Sequence, residues 1–325
     1  MPSTSETSLF SRALALGRDV IKDAAFAFWE IAQVMIPLII AIRVFKALGW
    51  IQYLAWPLEP IMELVGLPPQ TGLVWATAIL ANHYSALAVY LNLMSGMPAL
   101  SVAQVTILAS MMLIAHGVVV ECAVLRKCGV SFWGQMVLRL VAAVVMGMLL
   151  HFIFSGFGVF QQPASVAWQA TSDNIGLAAW TWDQVVNLAV IFITILCLMI
   201  IMRLLKFLRL TDLFNRVLGP ILQLMGIDRK ASTITVIGLT MGLGYGGGLI
   251  IVEARKGSLS HEDVFAACSL MSLSHGLIDD SILMSLIGAS WYGMFWGRLG
   301  FSLVVVAILT RVMMLVRSRK PAVNP

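Results

Sequence analysis

Apolar runs of about 20 residues or more, long enough to span a hydrocarbon core about 30 Å thick, recur eight times along the chain. They occupy 26–48, 70–95, 101–125, 133–158, 183–205, 231–252, 262–288 and 291–315. Polar stretches separate them, and the longest, "GVFQQPASVAWQATSDNIGLAAWTWDQ", contains no Lys or Arg. The pattern predicts an all-α polytopic membrane protein.

The runs fall into two sets of four. "PLEPIMELVGL" at 57–67 matches "VLGPILQLMGI" at 217–227; at that spacing of 160 residues Arg43 falls on Arg203, Lys46 on Lys206, Pro60 on Pro220 and Gly66 on Gly226. After a slip of one residue, "ALSVAQV" at 99–105 matches "SLSHEDV" at 258–264, and "SMMLIAHGVVVE" at 110–121 matches "SLMSLSHGLIDD" at 269–280. "SFWGQMVLR" at 131–139 then meets "SWYGMFWGR" at 290–298. The chain reads as a tandem duplication of 26–158 and 183–317, joined by a linker at 159–182 and closed by a tail at 318–325.

Charge placement selects the topology. If all eight runs cross the bilayer, Lys and Arg are shared about equally between its two sides, against the positive-inside rule. If the second run of each half enters and leaves on one side, the balance changes. Arg12, Arg18, Lys22, Arg126, Lys127, every basic residue from Arg203 to Lys256, and Arg311, Arg317, Arg319 and Lys320 become cytoplasmic, leaving only Arg43 and Lys46 outside. The rule therefore favours about six crossing helices plus two re-entrant hairpins, with an external linker and both termini cytoplasmic. Three crossings per half is an odd number, so the halves run in opposite directions. That is the inverted-repeat plan of many secondary transporters. A hairpin tip needs irregular backbone, and "NHYSA" at 82–86 and the glycine-rich "GLGYGGG" at 242–248 sit where the tips belong.

Composition agrees: 60% of the 325 residues are hydrophobic and 11% charged, against about a quarter charged in soluble domains. The net charge of +5 bears on orientation and gives no sign of nucleic-acid binding. Residues 1–25 lack a signal-peptide core; Leu9, Phe10, Leu14, Val20 and Ile21 at helical spacing, with Arg12, Arg18 and Lys22 among them, predict an amphipathic helix on the membrane surface. Cys122, Cys128, Cys197 and Cys268 show no paired metal-ligand spacing. There is no G-x-x-x-x-G-K-[ST] phosphate loop, so transport would draw on a gradient or on another chain.

The chemistry sits in the third run of each half, where His116-Gly117 precedes Glu121 and His275-Gly276 precedes Asp279 and Asp280. Ionisable groups inside a membrane are expensive and usually functional, although a lone His often serves only as an interhelical hydrogen-bonding group. On a straight helix Asp279 lies about 40° from His275, while Glu121 and Asp280 lie about 140° from their histidines. Breaks at Gly117 and Gly276 would relax that geometry and free backbone groups for a solute. Arg139 and Arg298 are expected to snorkel toward opposite faces, with pairing to an acid of the third run as the alternative. Pro37 is expected to kink the first crossing.

"LGPILQLMGI", "GLGYGGGLI" and "SLSHGLIDDS" together resemble the Gate, or nucleoside-recognition, family of membrane domains. That family takes in spore maturation proteins and the membrane part of bacterial ferrous-iron permeases, and is related in architecture to concentrative nucleoside transporters. The likeness extends over about 26–315. It implies Gate-type repeats at 26–158 and 183–317, re-entrant hairpins and a bacterial inner membrane. The chain departs from ferrous-iron permeases in lacking a GTP-binding domain.

The expectation is a permease that moves a small polar solute, nucleoside-like or cationic, by alternating access. Asn82, His83, His116, Glu121, Gly244, Tyr245, Gly246, His275, Asp279 and Asp280 would line a midplane site, and the acids would carry a coupling H⁺ or Na⁺ or the charge of the solute. A nucleoside would use Asn82, His83, nearby Ser residues and opened backbone; a metal would use His275, Asp279 and Asp280. The alternative is a non-transport membrane component that binds a protein partner or further copies of itself. An enzyme is not expected, since no nucleophile or complete metal set is present.

Overall fold

The computed structural model describes residues 4–167 and 176–318. The centre of the linker, the tail beyond Ser318 and the side chains up to Gly17, with Leu9, Phe10, Arg12 and Leu14 of the expected amphipathic face, lie outside the described residues. The described residues are all-helical apart from turns and one isolated bridge.

Helix α1 (Thr4–Ala47) runs without interruption from the amino-terminal stretch through the first apolar run, Pro37 included. Two short helices follow, α2 (Ile51–Ala55) and α3 (Glu59–Leu64). The second run forms α4 (Thr71–Leu80) and α5 (His83–Leu93), which fold back on each other. The third forms α6 (Val102–Ile114) and α7 (Val118–Lys127), and the fourth α8 (Phe132–Gly156). Beyond the linker come α9 (Leu177–Phe207), α10 (Leu210–Leu224), the packed pair α11 (Arg229–Met241) and α12 (Leu243–Arg255), α13 (His261–Ser274) and α14 (Asp279–Ser285). A π-helical turn at Tyr292–Gly297 leads into α15 (Arg298–Ser318).

Among the described residues, five stretches are long and apolar enough to cross a membrane: Arg18–Ala47, Val102–Lys127, Phe132–Gly156, Leu177–Leu205 and Tyr292–Met313. The run expected to cross at 262–288 is divided between α13 and α14, neither long enough by itself. In its most apolar 18-residue window Val102–Lys127 is 72% buried inside the protein, whereas the corresponding windows of Arg18–Ala47 and Leu177–Leu205 are only 22% and 17% buried. The broken α6–α7 segment therefore forms the centre, and α1 and α9 pack together with most of their surface left for lipid. Arg43 stacks over the Trp180 ring at 4.4 Å and Lys46 Nζ donates to the Asn92 carbonyl at 2.7 Å, tying the end of α1 to α9 and α5.

Segments that match in sequence build the same local structure. Gly66 and Gly226 both take positive φ after a helix, and Leu67 and Ile227 close the turn by donating to Met62 and Leu222; this is a glycine C-terminal cap. Ser101 with Gln104 and Ser260 with Asp263 form capping boxes that start α6 and α13.

Both tips are tighter than the sequence suggests. The first break is only Ala81–Asn82, and Asn82 caps α5 by accepting from the Ser85 amide at 2.8 Å. The second is Gly242 alone (φ 90°, ψ 163°), and the rest of "GLGYGGG" is helical. Its glycines serve close packing: a Cβ on Gly246 would lie 2.5 Å from Gly238 Cα and 2.5 Å from Met271 Sδ. Helix propensity gives way to backbone contact between α11 and α12.

Candidate functional site

The breaks in the third runs decide where the polar groups go. Gly117 (φ 52°) and Gly276 (φ 59°) are left-handed, a conformation that costs other residues about 1–2 kcal/mol. The freed amide of Gly117 donates to Ala78 of α4 at 2.8 Å, and that of Leu277 to Leu239 of α11 at 3.0 Å. Each break is thus fastened to the first arm of the hairpin in its own half.

The carbonyls left open at these breaks are met by two arginines. Arg139 donates through Nε to Ile114 O at 2.8 Å and through Nη2 to His116 O at 2.9 Å, and its Nη1 lies 2.5 Å from Glu121 Oε2. Arg298 reaches Leu113 O at 3.4 Å and Gly276 O at 3.5 Å. Both side chains are wholly buried, so the expected snorkelling does not occur. Orphan carbonyls at a helix end and, for Arg139, a carboxylate hold a five-donor fork inside the protein.

With Glu121 fixed from behind, its Oε1 faces two histidines, 3.3 Å from His116 Nε2 and 3.1 Å from His275 Nε2. The two Nε2 atoms are 3.2 Å apart. His83, first residue of α5, sets its ring 4.7 Å from that of His116, and its Nε2 lies 3.5 Å from Asp280 Oδ1. Neither ring nitrogen of His83 has a hydrogen-bond partner. His83, His116, His275 and Asp280 are all buried.

Seven of the ten residues expected at the site lie in or beside this arrangement. His83, His116, Glu121, His275 and Asp280 form the cluster. Asp279 does not pair with His275, because the break turns it away; its buried Oδ1 has no hydrogen-bond partner. It lines instead a neighbouring cavity of about 580 Å³, together with Tyr84, Thr240, Met241 and Tyr245 and the exposed Asp23–Arg203 ion pair. Asn82 is a cap, Gly246 a packing contact, and Gly244 is exposed. Among the described residues two donor groups of metal-binding type result, His116–Glu121–His275 and His83–His116–Asp280. The set expected from sequence, His275 with Asp279 and Asp280, is not one of them, and Asp279 belongs to neither. The alternative expected for the arginines, pairing with an acid of the third run, holds for Arg139 with Glu121; their hold on the backbone carbonyls had no signal beyond their equivalent positions.

The chain is 27% identical over 266 residues to the uncharacterized membrane protein YvoD of Bacillus subtilis (strain 168), a match covering 80% of this chain and 83% of that protein. It is a multi-pass membrane protein distantly homologous to YvoD. No protein-family model matches it, and no solved structure does.

Proposed function

We propose that the chain is a secondary transporter, a permease that carries a small polar solute, nucleoside-like or cationic, across a bacterial inner membrane by alternating access. Its binding site is the cluster of His83, His116, Glu121, His275 and Asp280, placed near the midplane between two inverted Gate-type repeats. The observation that carries this reading is the meeting of buried ionisable side chains from both halves at helix breaks. Broken helices at membrane depth are tolerated where protein or a water-filled cavity surrounds them, and discontinuous helices build the midplane sites of secondary transporters. The likeness of the repeated motifs to the Gate family supports the same architecture, with Asp279 and the acids of the cluster available to a coupling H⁺ or Na⁺.

Reconstitution tests it. Liposomes carrying the purified protein should take up uridine, or Zn²⁺ reported by an entrapped dye, in a saturable way, and Glu121→Gln should abolish the uptake. No uptake of nucleosides or divalent cations above that of empty liposomes would favour a structural, partner-binding membrane component. The topology has its own readout: a cysteine at Gln162 should react with an impermeant thiol reagent from outside the cell, and one at Arg229 only from the cytoplasm. The reverse labelling refutes the inverted hairpin arrangement.

A further inference from the structure

The cluster discriminates between solute classes, because apart from His83 and Ser85 the groups a nucleoside would need are already engaged. Asn82 Oδ1 accepts from the Ser85 amide. Ser269 and Ser272 bond Gln135 at 2.9 and 3.0 Å, Ser274 bonds Ser302 at 2.6 Å, and Ser281 donates to Leu277 O at 2.7 Å. The backbone opened at the breaks is closed again by Arg139, Arg298, Ala78 and Leu239. Around the cluster, the buried atoms left without a hydrogen-bond partner among the described residues are mainly imidazole nitrogens of His83 and a carboxylate oxygen of Asp279, with the Ser85 hydroxyl beside them.

The orientation of the imidazoles is fixed as well. His116 Nδ1 lies 3.2 Å from Met112 O, and His275 Nδ1 lies 2.9 Å from Met271 O. A carbonyl can only accept, so each Nδ1 carries the hydrogen and each neutral ring presents a lone pair at Nε2. Those lone pairs and Glu121 Oε1 point at one another across 3.2, 3.1 and 3.3 Å. Three acceptors so placed repel unless something positive lies between them. Ligands 2.0–2.1 Å from a tetrahedral cation are spaced about 3.3–3.4 Å apart, close to the triangle these atoms already make. The outer contacts also belong to a metal site: each histidine donates its other ring N–H to a carbonyl, and Arg139 holds the second carboxylate oxygen.

We propose that His116 Nε2, His275 Nε2 and Glu121 Oε1 bind a divalent first-row transition cation. Two imidazoles and one carboxylate suit borderline ions such as Zn²⁺, Co²⁺, Fe²⁺ and Ni²⁺ over Na⁺, Mg²⁺ or Ca²⁺. The second group, His83–His116–Asp280, shares His116 with the first, so a cation can pass between them without losing that ligand. That the metal is cargo rests on the permease reading; that it binds does not.

The test uses purified full-length protein stripped of metal by chelation and titrated with Co²⁺. The expected result is about one Co²⁺ per chain with the intense visible bands of four-coordinate geometry, displaced by Zn²⁺. Glu121→Gln and His275→Asn should each weaken binding by at least about 100-fold, and Arg139→Lys by about 10–100-fold. Glu63→Gln, on the exposed face of α3, should leave it unchanged. If the variants fail to fold, the wild-type spectrum decides: no uptake of Co²⁺ or Zn²⁺ at millimolar concentration, or only the weak bands of six-coordinate Co²⁺, overturns the proposal. Thermal stabilisation by uridine or adenosine with none by Zn²⁺ overturns it too and leaves the permease reading standing. Tight four-coordinate binding without flux in liposomes upholds the metal site and removes the permease reading.

Discussion

Alanine at the two left-handed glycines should have unequal consequences. Both Gly117→Ala and Gly276→Ala place a side chain in the left-handed region, at about 1–2 kcal/mol each. At Gly117 the new Cβ meets Ala81 O at 3.5 Å and Glu121 Oε1 at 3.6 Å, ordinary contacts that leave the site intact. At Gly276 it would overlap the carboxylate of Asp280, with Cγ at 2.7 Å and Oδ1 at 3.1 Å. Asp280 must then swing away from His83, and crowding of this kind in a packed interior adds about 1–3 kcal/mol. Unfolding in mixed micelles by SDS titration, followed by tryptophan fluorescence, should give Gly276→Ala the larger loss by that margin. Truncating the aspartate isolates the cause: in Gly276→Ala/Asp280→Ala the extra loss should vanish, leaving the left-handed term. Independent sites add within about 0.3–0.5 kcal/mol. Equal losses at the two glycines, or additivity of the double variant, would refute the packing derived for the second break.

Three further outcomes follow from the geometry. Arg139→Met strands Glu121 and should cost about 3–5 kcal/mol, with Arg139→Met/Glu121→Gln recovering part of it in a double-mutant cycle by the same titration. Gly246→Ala should destabilise by about 1–3 kcal/mol and resist rescue by Met271→Ala, because Gly238 backbone stays in the way; full rescue would show that the sulfur alone sets the contact. At the end of α12, hydrogen bonds from Lys230, Lys256 and Ser258 hold the Glu253 carboxyl at about 2, below its ordinary 4.5. Its contribution is therefore present above the ordinary value and lost as pH falls toward 2, so the melting-temperature gap between wild type and Glu253→Gln should narrow on acidification from ~pH 5 to ~pH 3.

Much of this organisation was legible in the residues. Five of the eight apolar runs coincide with stretches long and apolar enough to cross a membrane, because length and hydropathy set that limit. His116, Glu121, His275 and Asp280 stood out because ionisable groups are costly there, and Gly117 and Gly276 were readable as breaks from the angles a straight helix would impose. Less local features were hidden. "GLGYGGG" looked like an irregular tip, yet its value lies in a contact with Gly238, which no local propensity reports. For Arg139 and Arg298 the sequence offers snorkelling or an acid partner, and not their hold on backbone, since the carbonyls that hold them exist only once the neighbouring helices are broken.

That last dependence explains why the cluster needs both halves. An unbroken α6–α7 would leave Ile114 O and His116 O inside the helix ladder, and Arg139 would have no reason to stay buried. Without Arg139, Glu121 would have no cation at its back in a region where a lone carboxylate is costly. Glu121 in turn is the group that His275, from the other half of the chain, turns to meet. The Ala78 carbonyl, bonded to the Gly117 amide, fastens the α4–α5 pair that carries His83 to the break. The order of causes runs from glycine to carbonyl to arginine to carboxylate to histidine. A substitution that restored the helix ladder across Gly117 should therefore disturb the last member, whereas alanine, which leaves the break in place, should not; the spacing of the His116 and His275 Nε2 atoms is where that disturbance would be read.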